Sequence, residues 1–310
     1  MNSLLRLVTF ETLSTGKRSI GALLDNGRHV VDFASANSKH TLPLDMRSFL
    51  NGGKKSMRMA VDIIGTGSGR ISVDEVKICA PISDPQKIIA VGLNYKEHAI
   101  ETKMAFPSEP VVFTKFTNAI IGPNDNIVKP TSSDQVDYEV ELVIVIGREC
   151  HNVSESTALD YVAGYTVGND VTARDWQFGK PGGQWSLSKS FNSFSPIGPA
   201  IVVNPQWAHL DTNTNSCELD PNNLSIKSTL NGRVMQQSNT KELIFNVQQV
   251  VSYLSKVVTL SPGDLIFTGT PYGVGFTRTP PIFLQPGDTI SCSIEHLGTL
   301  TNKVVGQSNL

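Results

Sequence analysis

Apolar and polar positions alternate in short blocks along most of the chain, and each block predicts an element. "RLVTFE" and "SIGALLDNGRHVVDF" have strand periodicity, the second as a hairpin around Asp25-Asn26-Gly27. A helical stretch is predicted over 46–64. "GTGSGR" at 65–70 resembles a dinucleotide-binding loop but fails its test. Arg70 stands where the third glycine belongs, and no strand precedes it, so it reads as a plain loop. "CAPISDP", with Pro81 and Pro85, marks a boundary. The expected organisation is a small N-terminal β/α accessory domain over 1–80 and a larger domain over 86–310.

Beyond the boundary β signals dominate. "KIIAVG", "PVVFTKF", "YEVELVIVIG", "VAGYTVGND", "IGPAIVV", "LSIKSTLNGRV", "DLIFTGT" and "TISCSIE" are strand-like. One helix is clear, because Val247, Val250, Val251, Leu254 and Val258 fall on one face at helical spacing. Pro262-Gly263-Asp264 and Pro286-Gly287-Asp288 read as turns before strands. The predicted fold class is α+β, mostly β. Neither solenoid repeats nor low-complexity tracts occur.

Charge and cysteine usage narrow the partners. The net charge is −2 over 310 residues, and no basic block is present that would bind nucleic acid or anionic lipid. No apolar run approaches a membrane span. Cys79, Cys150, Cys217 and Cys292 lie far apart with no CxxC pair, which predicts reduced thiols in an intracellular protein. The opening "MNSLLRLVTFE" is too short and too quickly charged for a secretory signal, so the sequons at Asn152 and Asn223 are expected unmodified. Arg6, Lys17 and Arg18 give a trace of presequence character that Glu11 interrupts. The expected compartment is the cytoplasm or, with a cryptic presequence, the mitochondrial matrix.

Within 136–147 an apolar run carries Glu139 and Glu141 two residues apart. Side chains at i and i+2 of a strand share a face, so the two carboxylates project together. Held that close on a buried strand they repel unless a cation lies between them. A hard divalent ion with oxygen ligands, most commonly Mg²⁺, meets that need. The plainer alternative is an edge strand with both glutamates in water. Asp170, closing the strand-like "GYTVGND", supplies a third carboxylate.

"VGLNYKEHAIE", "DYEVEL", "GNDVTARDWQ", "SKSFNSFSPIGP" and "FTGTPYGVG", in this order and spacing, resemble the fumarylacetoacetate hydrolase family, most closely its second domain-containing branch. The resemblance runs from about residue 87 to the C-terminus and is looser before it. It implies a β-roll with a mixed sheet, paired as a homodimer. It implies that Glu139, Glu141 and Asp170 hold one Mg²⁺, with Mn²⁺ or Ca²⁺ as substitutes. It also implies that "NYKEHAIE" is a lid ordering over substrate, with His98 and Glu101 as its acid–base pair.

His98 and Glu101, three residues apart, would be neighbours on a helix, where a carboxylate fixes the imidazole tautomer. His29, His40, His151, His209 and His296 match no motif. Three carboxylates and one divalent ion leave a negative charge, and a dicarboxylic 2-oxo acid adds more, so cations are needed nearby. Lys189 and Arg174 are the candidates, with Lys115 behind them; Arg174 could equally pair with Asp175. Gln177 and Thr270 resemble positions that reach substrate oxygens, and Gly269, Gly273 and Gly275 are expected to let backbone approach the ligand. The reactions implied pass through an enolate of a 2-oxo acid. Oxaloacetate keto–enol tautomerisation leads, ahead of acylpyruvate hydrolysis and oxaloacetate decarboxylation. A metabolite-binding protein without catalysis would lack the acid–base pair, and a dinucleotide-dependent oxidoreductase would need the glycine loop that fails.

Overall fold

A computed structural model describes residues 4–24, 27–34, 42–208 and 219–307. Asp25, Asn26, His40, His209 and Cys217 lie outside the described residues. The predicted α+β, mostly β character is what the chain adopts. A long mixed sheet runs in the order Arg70–Ser72, His29–Asp32, Arg18–Leu24, Arg6–Thr12, Ser195–Val203, Val162–Asn169, Val140–Ile146, Leu265–Phe267, Ile88–Gly92, Val111–Lys115. Its neighbours are antiparallel except Leu265–Phe267 with Ile88–Gly92, which are parallel. A second sheet runs Arg233–Asn239, Ser225–Leu230, Thr289–Ile294, Gly298–Gly306, Ile127–Lys129.

The central strand Val140–Ile146 is buried on both faces, which is why its apolar run is unbroken. Val140, Leu142, Ile144 and Ile146 join a core shared with the second sheet and the helix Val247–Ser255. Val143 and Val145 face the opposite way, into a core shared with the helices Met46–Asn51 and Gly53–Thr66. That second core also holds Leu7 and Ile20, and the strand Arg6–Thr12 pairs with Ser195–Val203 at Leu7–Ile201. The strands Arg6–Thr12, Arg18–Leu24, His29–Asp32 and Arg70–Ser72 therefore extend the sheet that carries Val140–Ile146.

Several expectations are adjusted by the structure. The helix predicted over 46–64 is two helices broken at Gly52, because Gly53 sits at φ 52, where glycine is favoured. "GTGSGR" contributes the end of the second helix, which stops at a left-handed Gly67. The late helix ends at Ser255, short of Val258. The nine-residue strand Gly298–Gly306 was not anticipated.

Candidate active site

The strand pair Val140–Ile146 and Val162–Asn169 sets the site. Their antiparallel register places Val140 opposite Asn169, so the start of one strand meets the end of the other. Glu139 sits one residue before its strand and Asp170 one residue after its own. The ladder nonetheless continues past both. Glu139 N–H donates to the Asn169 Oδ1 at 2.9 Å, and Asp170 N–H donates to the Glu139 carbonyl at 2.8 Å. Glu139, Glu141 and Asp170 are all buried, with oxygens within 4.8 Å of one another. The plainer alternative, an edge strand in water, is excluded.

Around this cluster the charges are arranged in pairs. Lys189 Nζ donates to Glu139 Oε2 at 2.9 Å, to Asp170 Oδ2 at 2.5 Å and to the Thr172 hydroxyl at 2.8 Å. Its three N–H bonds are thereby all committed to the protein. Lys115 Nζ donates to Asp170 Oδ1 and, at 2.8 Å, to the Phe194 carbonyl. Arg174 donates through Nη2 to Glu139 Oε1 at 2.5 Å, through Nε to Asp137 Oδ2 at 2.9 Å and through Nη1 to Gln177 Oε1 at 2.8 Å. Arg174 does not pair with Asp175. That carboxylate accepts instead from the Ser133 hydroxyl and the Asp134 N–H.

Burial opposes ionisation of Glu139, but Lys189 and Arg174 outweigh it and hold its carboxyl far below the usual range. Glu141 goes the other way. Burial, then the Asp170 and Glu139 carboxylates, push it well above the usual range, and the Gly269 N–H at 2.7 Å is too little to offset them. Four buried carboxylates (Asp137, Glu139, Glu141 and Asp170) thus face three buried cations. The donor set is one positive charge short, at Glu141, and three converging carboxylates are the ligand chemistry of a hard divalent cation.

His98 and Glu101 lie on the short helix Lys96–Glu101, with Nδ1 and Oε2 3.4 Å apart. Glu101 also accepts the Gly273 N–H at 3.1 Å and the Thr277 hydroxyl at 2.8 Å. His98 faces a cavity of about 420 Å³ that Glu139, Glu141, Asp170, Arg174, Gln177, Lys189 and Thr270 also line. The candidate catalytic, binding and metal-ligating side chains are therefore brought together there, with two exceptions. Lys115 lies behind Asp170, where its ammonium supports a carboxylate instead of reaching the cavity. Glu101 lies behind His98. Thr270 is held between neighbours, donating to the Val140 carbonyl and accepting from Gln236.

The three glycines of "FTGTPYGVG" also anchor carboxylates around the site. Their N–H groups donate to protein carboxylates, Gly269 to Glu141, Gly273 to Glu101 and Gly275 to Asp137. Gly269 does so at φ 103, a conformation that side chains resist. Sequence reasoning passed over Asp137, although the i, i+2 period that flags Glu139 and Glu141 extends back to it. It also passed over the aromatic wall of the cavity, Phe113, Phe178, Trp185 and Phe276, which carries no local signal because four separate segments supply it.

A family model described as fumarylacetoacetate (FAA) hydrolase C-terminal matches residues 87–305. A fumarylacetoacetate hydrolase domain-containing protein 2 homolog of Dictyostelium discoideum is 58 % identical over 305 residues, 97 % of each chain. A protein named oxaloacetate tautomerase, mitochondrial, of Bos taurus is 42 % identical over 301 residues, covering 97 % of this chain and 92 % of its own. Among solved structures, fumarylacetoacetate hydrolase from psychrophilic Exiguobacterium antarcticum superposes with a TM-score of 0.80 at 32 % identity, covering 98 % of this chain and all (100 %) of that one. A 2-hydroxyhepta-2,4-diene-1,7-dioate isomerase from Mycobacterium marinum gives 0.74 at 33 % identity, with 98 % and 100 % covered. The matched span contains every residue of the acidic cluster and the histidine beside it, and the chain belongs to the fumarylacetoacetate hydrolase family.

Proposed function

We propose that this chain is a Mg²⁺-dependent oxaloacetate keto–enol tautomerase, acting as a homodimer. One observation carries the reading. A histidine backed by a carboxylate shares a single cavity with a buried acidic cluster, in a chain 42 % identical along its length to a protein bearing that name. A cation held by Glu139, Glu141 and Asp170 would supply positive charge for the oxyanion that develops at the 2-oxo group. Glu101 engages His98 Nδ1, which leaves Nε2 for the reacting carbon. In the keto direction His98 delivers a proton to carbon 3 while the enol hydroxyl gives up its proton to solvent, from which His98 is reprotonated; the reverse direction runs both transfers backwards. Arg174 fixes the carbonyl end of the Gln177 carboxamide, so its NH₂ end is the one available to a substrate carboxylate. Lys189 acts by orienting Glu139 and Asp170 beside the substrate and offsetting negative charge there. The name of the bovine relative favours a mitochondrial location over a cytoplasmic one, and no helix among the described residues is long and apolar enough to cross a membrane.

A second reading, hydrolysis of acylpyruvates, has one feature in its favour. The aromatic wall offers an apolar acyl group a place that a four-carbon diacid does not fill. The test follows enol-oxaloacetate absorbance with Mg²⁺ and, separately, pyruvate release from acetylpyruvate. His98→Ala is expected to lower kcat for the first reaction about 10²–10⁴-fold. Mg²⁺ is expected to raise the melting temperature of the native protein, and Glu141→Gln to abolish that rise. A kcat/KM for acetylpyruvate above that for enol-oxaloacetate would replace the tautomerase reading by the hydrolase.

A further inference from the structure

Asp137 is a fully buried carboxylate that does not face the cavity and that the proposed chemistry does not use. It ends the short strand Val136–Asp137, paired with Thr172–Ala173. Every lone-pair direction it presents is occupied. Oδ1 accepts the Tyr138 N–H at 2.8 Å and the Gly275 N–H at 2.7 Å. Oδ2 accepts Arg174 Nε at 2.9 Å and the Phe276 N–H at 3.1 Å.

These partners belong to two separate parts of the site. Arg174 leads to the acidic cluster, since its Nη2 holds Glu139. Gly275 and Phe276 belong to the turn over 273–277, whose Gly273 N–H and Thr277 hydroxyl hold Glu101, and Glu101 holds His98. The two parts also touch directly, with the Arg174 guanidinium 4.3 Å from the centre of the Phe276 ring. The turn closes on Asp137 only because residue 275 lacks a side chain. A Cβ there would lie 2.5 Å from Asp137 Oδ1 and 2.0 Å from the Ile282 carbonyl.

We propose that Asp137 is a positioning residue that couples the His98–Glu101 pair to the carboxylate cluster, through the 273–277 turn on one side and Arg174 on the other. The coupling rests on the reading of His98 as the proton carrier. A carboxylate is required for it. An asparagine carries one acceptor oxygen, and its NH₂ would meet donors on whichever side it turned. Arg174 would then lose the anion that fixes its Nε, and the turn would lose half of its anchor.

The experiment is a double-mutant cycle on kcat, with folding checked by thermal melting. Asp137→Asn and Glu101→Gln are made singly and together, beside His98→Ala. Each single change is expected to lower kcat about 10-fold or more, the scale of a lost hydrogen bond to a buried charge. Because Asp137 acts through Glu101, the pair together should lose much less than the product of the two losses. Mn²⁺ affinity, measured by titration without substrate, should also fall in Asp137→Asn, through Glu139. Losses that multiply, or an Asp137→Asn enzyme with native kcat and native Mn²⁺ affinity, overturn the proposal. If Asp137→Asn does not melt cooperatively, Thr277→Val replaces it in the cycle with Glu101→Gln, and multiplied losses again overturn it. Near-native turnover in His98→Ala defeats the functional reading and this proposal with it. An inactive His98→Ala with multiplied losses defeats this proposal alone.

Discussion

At the scale of single residues, this site works by deciding which carboxylates stay charged. Glu101 shows the balance. Burial raises its pKa, but hydrogen bonds from His98, Thr277 and the Gly273 N–H bring it below the ordinary carboxylate value. Thr277→Val removes one of those bonds at nearly constant volume, so burial is opposed less and the carboxyl shifts upward. The acid limb of the kcat/KM profile should therefore move to higher pH. The sign of the stability effect follows from linkage. A depressed pKa stabilises the fold fully above the unfolded value, about 4.3, and the benefit is lost as pH falls through the folded value. The difference in melting temperature between native protein and variant should be largest near neutrality and shrink below about pH 4. A constant difference across that range would show that Thr277 acts on packing alone. The acidic cluster was legible in the sequence because carboxylates two apart in an apolar run have few explanations. The position of Lys115 was not, since nothing local distinguishes an ammonium facing substrate from one facing the back of Asp170.

At the scale of elements, the strands were the most legible part, because period-2 runs survive packing on either face. Breaks were harder to place. Glu139 looks like part of its strand but lies one residue outside it, where an Asn169 side chain takes over the backbone pairing. Gly92 illustrates what a single strand residue conceals. It closes the strand Ile88–Gly92, and a Cβ there would lie 2.5 Å from the Trp185 ring. Trp185 packs edge-on against Phe113, centroids 5.5 Å apart, and both line the cavity. Gly92→Ala should therefore displace the indole, at a cost of about 1–3 kcal/mol for overpacking. Tryptophan fluorescence should shift, and KM for substrates with apolar acyl groups should rise more than KM for oxaloacetate. Equal changes for both would mean that Trp185 frames the cavity without sorting its contents.

For the molecule as a whole, the boundary legible at "CAPISDP" does not separate two cores. Leu7 and Ile20 pack in the same cluster as Val143, Val145 and Phe267, so the strands before the boundary and the strand leading from Glu141 share one interior. Calorimetry should show one unfolding transition without ligand, and Leu7→Ala should lower it as a unit, costing about 2–5 kcal/mol. Two resolved transitions, with only one of them moved by Leu7→Ala, would contradict a shared interior. The pairing of Arg6–Thr12 with Ser195–Val203 also sets a schedule for biosynthesis. Leu7 meets Ile201 only after nearly the whole intervening chain has left the ribosome, on the order of ten to forty seconds at common elongation rates. Through that interval the nascent chain presents a half-built sheet margin with an apolar face. Nascent chains stalled before Val203 emerges should thus bind chaperones avidly, and that binding should fall away only once Phe267, which closes the same interior, has emerged as well.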